Sequence, residues 1–251
     1  MRTLFQLGIT ILFLQAEPIQ AQVSIGDRAG VSLFTSGFGA SEDRTTDLLK
    51  KNTKNTIGIS IGLPIEIMLG DHFALQPEIG YTMKGNKYAG SSEYEDLITL
   101  NYVDLTLLAK GRIGAGKVQG EVMLGPGLAY GLTARYRSTN PWYLSYFQDR
   151  TSDFPDTFLA PTEIFIAGGA GLSVALGVPR LILNYRYLYG ITNIHSDDIV
   201  FTDINGATID RIKEYNRGSI ISLGFLIPLS RSAWAQNGDP TPGTPDQIPQ
   251  R

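Results

Sequence analysis

His195 opens the segment of this sequence that is best equipped for hydrolytic chemistry. Ser196, Asp197 and Asp198 follow it directly, and Asp203 lies a few residues further on. Such side chains can act as nucleophile, base and orienting acid, but only when the fold brings them together in space. The segment therefore fits either a hydrolase site or an exposed polar loop. We expect the loop, and we expect no catalytic residue in this protein.

Composition excludes several other kinds of site. The chain has no cysteine, so it has no disulfide, no cysteine-ligated zinc and no thiol nucleophile. Lys and Arg number 21 against 24 Asp and Glu, which is not the basic excess of a nucleic-acid binder. The glycines of 114–117 lack the strand, turn and helix context of a phosphate-binding loop. The carboxylates after His195 fit no dedicated Ca²⁺ loop. We therefore expect no metal and no cofactor.

Alternation of apolar and polar residues is the strongest structural signal. Between Ile57 and Leu69 every odd position is large and apolar, and every even position is small, polar or Met. This period of two predicts a β-strand with one apolar face. The pattern recurs and predicts eight strands, over 25–34, 57–69, 73–83, 103–112, 118–136, 164–176, 181–189 and 221–229.

The connections between these strands alternate in length. Tight turns rich in glycine occupy 70–71, 114–116 and 177–179. The other connections are long and polar, over 35–56, 85–100, 137–161 and 191–217. Short turns at one rim and long loops at the other are typical of outer-membrane barrels. The sequence thus predicts an all-β fold, an eight-stranded antiparallel up-and-down transmembrane β-barrel with short periplasmic turns and long extracellular loops.

The two strand faces differ in charge. The polar face carries acids and bases in balance, which predicts a network of ion pairs that plugs a narrow lumen. We expect Glu66, Lys110, Arg112 and Glu121 to pair in a layer near the periplasm. We expect Glu78, Asp104 and Arg186 to pair at a higher level. The predicted network is Arg28, Glu66, Glu78, Asp104, Lys110, Arg112, Glu121, Arg135 and Arg186, and Glu163 lies on the same polar face.

The apolar face carries a single charge, Asp27, which we expect near a rim. Aromatic residues are placed as two interfacial girdles would be. Phe73 and Phe225 lie toward the short turns, and the tyrosines toward the long loops are Tyr81, Tyr130, Tyr136, Tyr185, Tyr187 and Tyr189. The alternative is a soluble, lipocalin-like ligand carrier, in which the apolar face would point inward around the ligand.

Both ends of the chain differ from the barrel. Residues 1–21 predict a signal peptide, with Arg2 before an apolar run over 4–14 and a cleavage site after Ala21. The barrel then occupies 22–229. Residues 230–251 are polar and proline-rich, and they predict a disordered periplasmic tail.

The third long loop contains the densest aromatic cluster outside the strands: Trp142, Tyr143, Tyr146 and Phe147. Exposed aromatic groups favour contact with a partner or with lipid headgroups, although these residues could instead pack on the rim. A barrel with a plugged lumen leaves function to its loops. We therefore predict a non-enzymatic protein that presents extracellular loops for interaction, with a lipid hydrolase that uses His195 as an alternative.

Four stretches resemble the PorT-like outer-membrane β-barrel family of Bacteroidota. They are LQPEIGYTMKG at 75–85, NYVDL at 101–105, GPG at 125–127 and YRYLYGIT at 185–192. The resemblance extends over about 25–229. It implies residence in the outer membrane in contact with its lipid. For the founding branch of the family it also implies a role in secretion, so that an envelope or secretion-system protein is a further candidate partner.

Overall fold

Eleven β-strands form in the computed structural model, which describes residues 22–38, 51–89, 95–114, 116–139, 149–153, 159–195, 201–202, 208–209 and 213–229. The strands are β1 Val23–Phe38, β2 Thr53–Met68, β3 Phe73–Ala89, β4 Glu95–Ile113, β5 Val118–Ser138, β6 Asp149–Asp153, β7 Thr162–Ala175, β8 Arg180–Gly190, β9 Phe201–Thr202, β10 Thr208–Ile209 and β11 Glu214–Pro228. None of the helices in these ranges is long and apolar enough to cross a membrane.

Eight of the strands close into an antiparallel barrel. The order round the barrel is β1, β2, β3, β4, β5, β7, β8 and β11, and β11 pairs with β1 to close it. Following the paired residues once round from Val23 returns to β1 at Leu33, ten residues further along the strand. A stagger of this size gives a strand tilt of about 40°. The predicted eight-stranded barrel is confirmed.

The apolar strand faces point outward and the charged faces point inward. Exposed outward residues include Ile57, Phe73, Leu105 and Leu124, whereas Glu66 is completely buried inside. This orientation is the reverse of that in a soluble ligand carrier, so the lipocalin-like alternative is wrong. The outward residues form a continuous band that matches the hydrocarbon layer of a bilayer.

Strands extend further toward the extracellular side than the sequence pattern predicts. The connection expected over 85–100 is mostly strand, because β3 continues to Ala89 and β4 begins at Glu95. The connection expected over 137–161 contains β6, which pairs with the end of β5. In these extensions the outward face is polar, as at Lys87 and Arg137, because it lies above the apolar band. The alternation of apolar and polar residues is therefore lost in these extensions, although the strands remain paired.

An apolar layer closes the extracellular part of the interior. Phe34, Tyr102 and Phe165 point inward from three strands and are completely or almost completely buried. Leu159 and Ile194, from the two connections beside β7 and β8, pack onto this cluster. The two connections are joined where the Ala160 amide donates to the Ile194 carbonyl oxygen at 2.7 Å. They form a short cap over the lumen, and side chains fill the space below it.

Candidate functional site

In the layer of the lumen nearest the periplasmic turns, three basic side chains pair with two acidic side chains. Lys110 of β4 lies 2.9 Å from Glu66 Oε2 and 2.6 Å from Glu121 Oε2. Arg112 and Arg180 both donate to Glu66 Oε1. The side chains of Lys110, Glu66 and Glu121 have no exposed surface. Alternation along β2, β4 and β5 brings these groups to one level, where each charge offsets the desolvation of its neighbours.

The middle layer is organised by one carboxylate. Glu78 Oε1 lies 2.5 Å from Arg28 Nε and 2.9 Å from Arg186 Nη1, and all three residues are buried. Asp104, on the neighbouring strand, accepts a hydrogen bond of 2.9 Å from the Thr82 hydroxyl. Two acids and two arginines therefore share this layer, and their formal charges balance.

Gly62 makes room for the closest of these pairs. A Cβ atom at this position would lie 2.8 Å from Glu78 Oε1 and 2.9 Å from Arg28 Nε. Real Cβ atoms do not approach polar atoms so closely, so any larger residue would displace the ion pair. The small inward residues of β2 are therefore part of the charged site and not merely weak strand formers.

A third layer lies beneath the apolar cap. Lys84 Nζ lies 2.9 Å from Glu163 Oε2, and its ammonium group is 4.6 Å from the centre of the Tyr102 ring and 4.8 Å from that of Phe165. Asn216 donates to the same Glu163 oxygen at 2.8 Å. The lysine is thus held by an ion pair and by cation–π contacts at a buried position.

At the extracellular end, Glu214 ties the cap to the barrel. Its Oε2 lies 2.6 Å from His195 Nε2, while its Oε1 accepts from Asn86 Nδ2 at 2.7 Å and from the Tyr88 hydroxyl at 3.0 Å. The Ser36 hydroxyl also donates to Oε1. The Ser36 hydroxyl is therefore hydrogen-bonded to the Glu214 carboxylate and not to the His195 imidazole. This arrangement links β1, β3 and β11 to the loop after β8.

Most of the predicted network lies inside the barrel, but Arg135 does not. Arg135 is exposed and points outward, so its assignment to the lumen is wrong. Tyr102 pairs with Gly131 whereas Asn101 pairs with Thr133, which makes Leu132 an extra residue in β5. A β-bulge of this kind exchanges the two faces of the strand beyond it.

The same bulge overturns the placement of Tyr136. This residue was expected in the outward tyrosine girdle, but it packs against the interior apolar cluster. The residues predicted for the lumen that do lie inside it are Arg28, Glu66, Glu78, Asp104, Lys110, Arg112, Glu121 and Arg186.

Several lumen charges were absent from the predicted network. Glu163 was predicted on the polar face and is buried inside the barrel, paired with Lys84. Lys84 shares the inward face of β3 with Glu78, so the alternation itself could have identified it. Arg180 and Glu214 stand at strand ends, outside the alternating segments. Contacts such as that of His195 with Glu214 depend on the path of a loop. No pattern in the sequence predicts that path, so these contacts could not be predicted.

Other predicted features lie outside the described residues. They are the loop aromatics Trp142, Tyr143, Tyr146 and Phe147, the polar residues Ser196, Asp197, Asp198 and Asp203, the signal peptide at 1–21 and the tail at 230–251. Within the described ranges, no three His, Asp or Glu side chains are grouped so that they could hold a metal ion.

Comparison with known families assigns the fold to a class. The profile of the outer membrane protein beta-barrel domain family matches residues 13–196, which is more than half of the chain. The chain therefore belongs to this family, and it is an outer-membrane β-barrel protein. No curated protein matches it.

Several solved structures are similar at low identity. Ail, the attachment invasion locus protein of Yersinia pestis, solved with the heparin analogue sucrose octasulfate, is 12% identical, with 82% of this chain and 99% of Ail covered and a TM-score of 0.39. Neisserial surface protein A is 16% identical, with coverage of 81% and 96% and a TM-score of 0.42. The outer membrane protease OmpT from Escherichia coli is 10% identical, with coverage of 85% and 98% and a TM-score of 0.41.

Proposed function

We propose that this protein is a non-enzymatic outer-membrane barrel with a closed lumen, which presents its extracellular loops for interaction. The observation that carries this proposal is the filling of the lumen by three successive layers of ion pairs beneath an apolar cap. The interior of an eight-stranded barrel is just wide enough for side chains. Solute passage would require several buried charges to separate at once, each at a high desolvation cost.

Conductance across a planar bilayer tests the closed lumen. The purified barrel is reconstituted at a low protein-to-lipid ratio in about 1 M salt, which screens surface charges. An open general porin serves as the positive control for insertion. We expect no discrete current steps from this protein. Reproducible single-channel steps at neutral pH would contradict the proposal.

The proposed interaction surface is the extracellular rim with its loops. A rigid scaffold that carries long loops is a common arrangement for binding proteins. The aromatic residues of the third loop, Trp142, Tyr143, Tyr146 and Phe147, are the proposed contacts with a partner or with outer-membrane lipid. No metal, cofactor or nucleic acid is part of this proposal.

A component of an envelope secretion assembly is the second candidate. The observation that favours it is an acidic side chain, Asp27, on the wall of the barrel that faces lipid. An ionisable residue in such a position is a candidate for a functional contact. An assembly would supply that contact, and the resemblance to PorT-like proteins points in the same direction.

The hydrolase alternative receives less support from the geometry. A serine hydrolase needs a nucleophile within hydrogen-bond reach of its base. In the described residues, the nearby Ser36 hydroxyl instead donates to Glu214, which also holds His195 Nε2. We therefore expect His195→Ala to leave the lipid composition of the outer membrane unchanged. Loss of a deacylated or transacylated lipid species in this variant would favour the hydrolase.

A further inference from the structure

Asp27 is an acidic residue on the outer wall of the barrel. It is exposed and lies on β1 between the outward residues Ile25 and Ala29. Its partner across the β1–β11 pair is Phe225, which is also exposed. The next residue, Arg28, points the other way and pairs with Glu78 in the lumen. The Asp27 carboxylate therefore faces the lipid.

The position of Asp27 is well inside the apolar band and not near a rim, which corrects the expectation from sequence. β1 begins at Val23. The four residues from Val23 to Asp27 rise about 13 Å along the strand, or about 10 Å along the barrel axis at a tilt near 40°. On β2, the apolar residues Ile65 and Ile67 lie between this level and the periplasmic turn. Because the apolar band of such barrels is about 25 Å tall, Asp27 lies close to its middle.

No group of the chain described here neutralises this carboxylate. The Asp27 side chain has no hydrogen bond or ion pair within the described ranges. The outward bases of those ranges include Lys87, Arg137 and Arg217, and each stands near the extracellular end of its strand. An aspartate side chain is too short to reach the interface from mid-membrane, unlike the long side chains that snorkel. A base from another molecule would neutralise the carboxylate within the membrane.

A groove in the outer wall begins at Asp27. It encloses about 680 Å³ and runs from β11 across β1 and β2 to β4. Its walls are apolar and include Leu63, Ile79 and Phe225, and Asp27 is the one carboxylate on its outer surface. Small residues such as Ala29 keep its floor low. A concave apolar surface with one charge can bind a segment of complementary shape and opposite charge.

We propose that this groove docks a membrane-spanning segment of a partner protein, and that a lysine or arginine of that segment pairs with Asp27. The amine of a lipid headgroup would not reach Asp27. Headgroups lie at the membrane interface, and Asp27 lies about 10 Å from the periplasmic interface, within the hydrocarbon layer. A second copy of this chain would present no base at this level from its described residues, since its outward bases lie either above the apolar band or, as with Lys117, at the periplasmic turns. This inference goes beyond the closed-lumen proposal, because it concerns the wall of the barrel, and it specifies the contact that the second candidate function would make at Asp27.

A photoreactive residue at Ala29 tests the proposal in the native outer membrane. Benzoylphenylalanine is introduced at Ala29 in the full chain, with Asp27 intact or changed to Asn or Glu. A matched probe at Leu124 of β5, at a similar depth on the opposite wall, reports contacts made by any lipid-facing surface. Heat-dependent gel mobility of every variant confirms that the barrel is folded.

We expect the Ala29 probe to give a protein adduct that the Leu124 probe does not give. Mass spectrometry should place the adduct in a membrane-spanning segment beside a Lys or Arg. Asp27→Asn should reduce the adduct by about tenfold or more, because the base is then left unpaired in the membrane, and Asp27→Glu should retain it. Exchange of the two charges between Asp27 and the partner's base should restore it.

Three results would overturn the proposal. The Ala29 probe could label lipid only, which would make the groove an ordinary lipid-facing surface. It could label a second copy of this chain, which would make the groove a dimer contact. It could label a protein equally well in the Asp27→Asn variant, which would show that the charge of Asp27 does not contribute to binding of the partner. None of these results bears on the conductance test, so failure here and failure of the closed-lumen proposal are separate.

Discussion

Replacing Glu78 by glutamine removes the negative charge that two buried arginines share. Glu78 Oε1 lies 2.5 Å from Arg28 Nε and 2.9 Å from Arg186 Nη1, and the side chain has no exposed surface. Glutamine keeps the size and some hydrogen bonding but leaves both guanidinium groups without their closest counter-charge. Breaking a buried pair in this way typically costs about 3–5 kcal/mol. We expect the free energy of unfolding to fall by about that amount.

The matched control is the same substitution in an exposed pair. Glu95 lies 2.6 Å from Lys87, with the two side chains 51% and 32% exposed. An exposed pair of this kind contributes about 0–1 kcal/mol, so Glu95→Gln should have little effect. Both variants are unfolded in urea in liposomes, with gel mobility and the circular dichroism of the β-strands as independent readouts. Equal stabilities of Glu78→Gln and Glu95→Gln would refute a desolvated, tightly paired lumen.

Four further outcomes follow, three from the placement of individual residues and one from the predicted signal peptide. Glu121→Lys should lower the temperature at which the folded form is lost on a gel, because Glu121 faces Lys110 in the lumen. Arg135→Glu should leave that temperature nearly unchanged, because Arg135 points outward, and the reverse order would contradict the bulge in β5. Asp27→Val should raise the free energy of unfolding of the isolated barrel by about 1–2 kcal/mol in liposomes, and a loss of stability would argue against a lipid-facing carboxylate. The mature protein should begin at Gln22 by N-terminal sequencing, and an intact Met1 would contradict the signal peptide.

The strands within the membrane could be predicted because each residue there has only one of two environments. Outward residues such as Ile59 and Ile61 meet lipid, and inward residues such as Ser60 meet the lumen, so the sequence alternates. Lys110 and Glu121 could be placed in one layer from alternation and strand order alone. The pairing of these residues in the structure follows from the same rule.

Features that depend on pairing between strands could not be predicted. The bulge that turns Arg135 outward arises where Asn101 and Tyr102 pair with Thr133 and Gly131, which are not consecutive in β5. Nothing in the local sequence of β5 marks this extra residue. The depth of Asp27 likewise depends on where β1 begins, which is Val23 and not the predicted Ile25, and on the strand tilt, which follows from the stagger of the closed barrel.

The extracellular end of the barrel was the hardest part to anticipate. The contact between His195 and Glu214 joins a loop to the start of β11, and Asn86 reaches the same carboxylate from β3. These residues meet only because the strands continue above the apolar band. In that region both faces are polar or mixed, so alternation no longer distinguishes strand from loop.

Gel mobility of the protein in isolated outer membranes tests the central claim most directly. Samples are compared before and after boiling in detergent, with Glu78→Gln beside the natural protein. A closed barrel in the outer membrane predicts a folded band in the unboiled sample that shifts on boiling, and an earlier loss of that band in Glu78→Gln. Recovery of the protein in the soluble periplasm, with one band before and after boiling, would contradict the account.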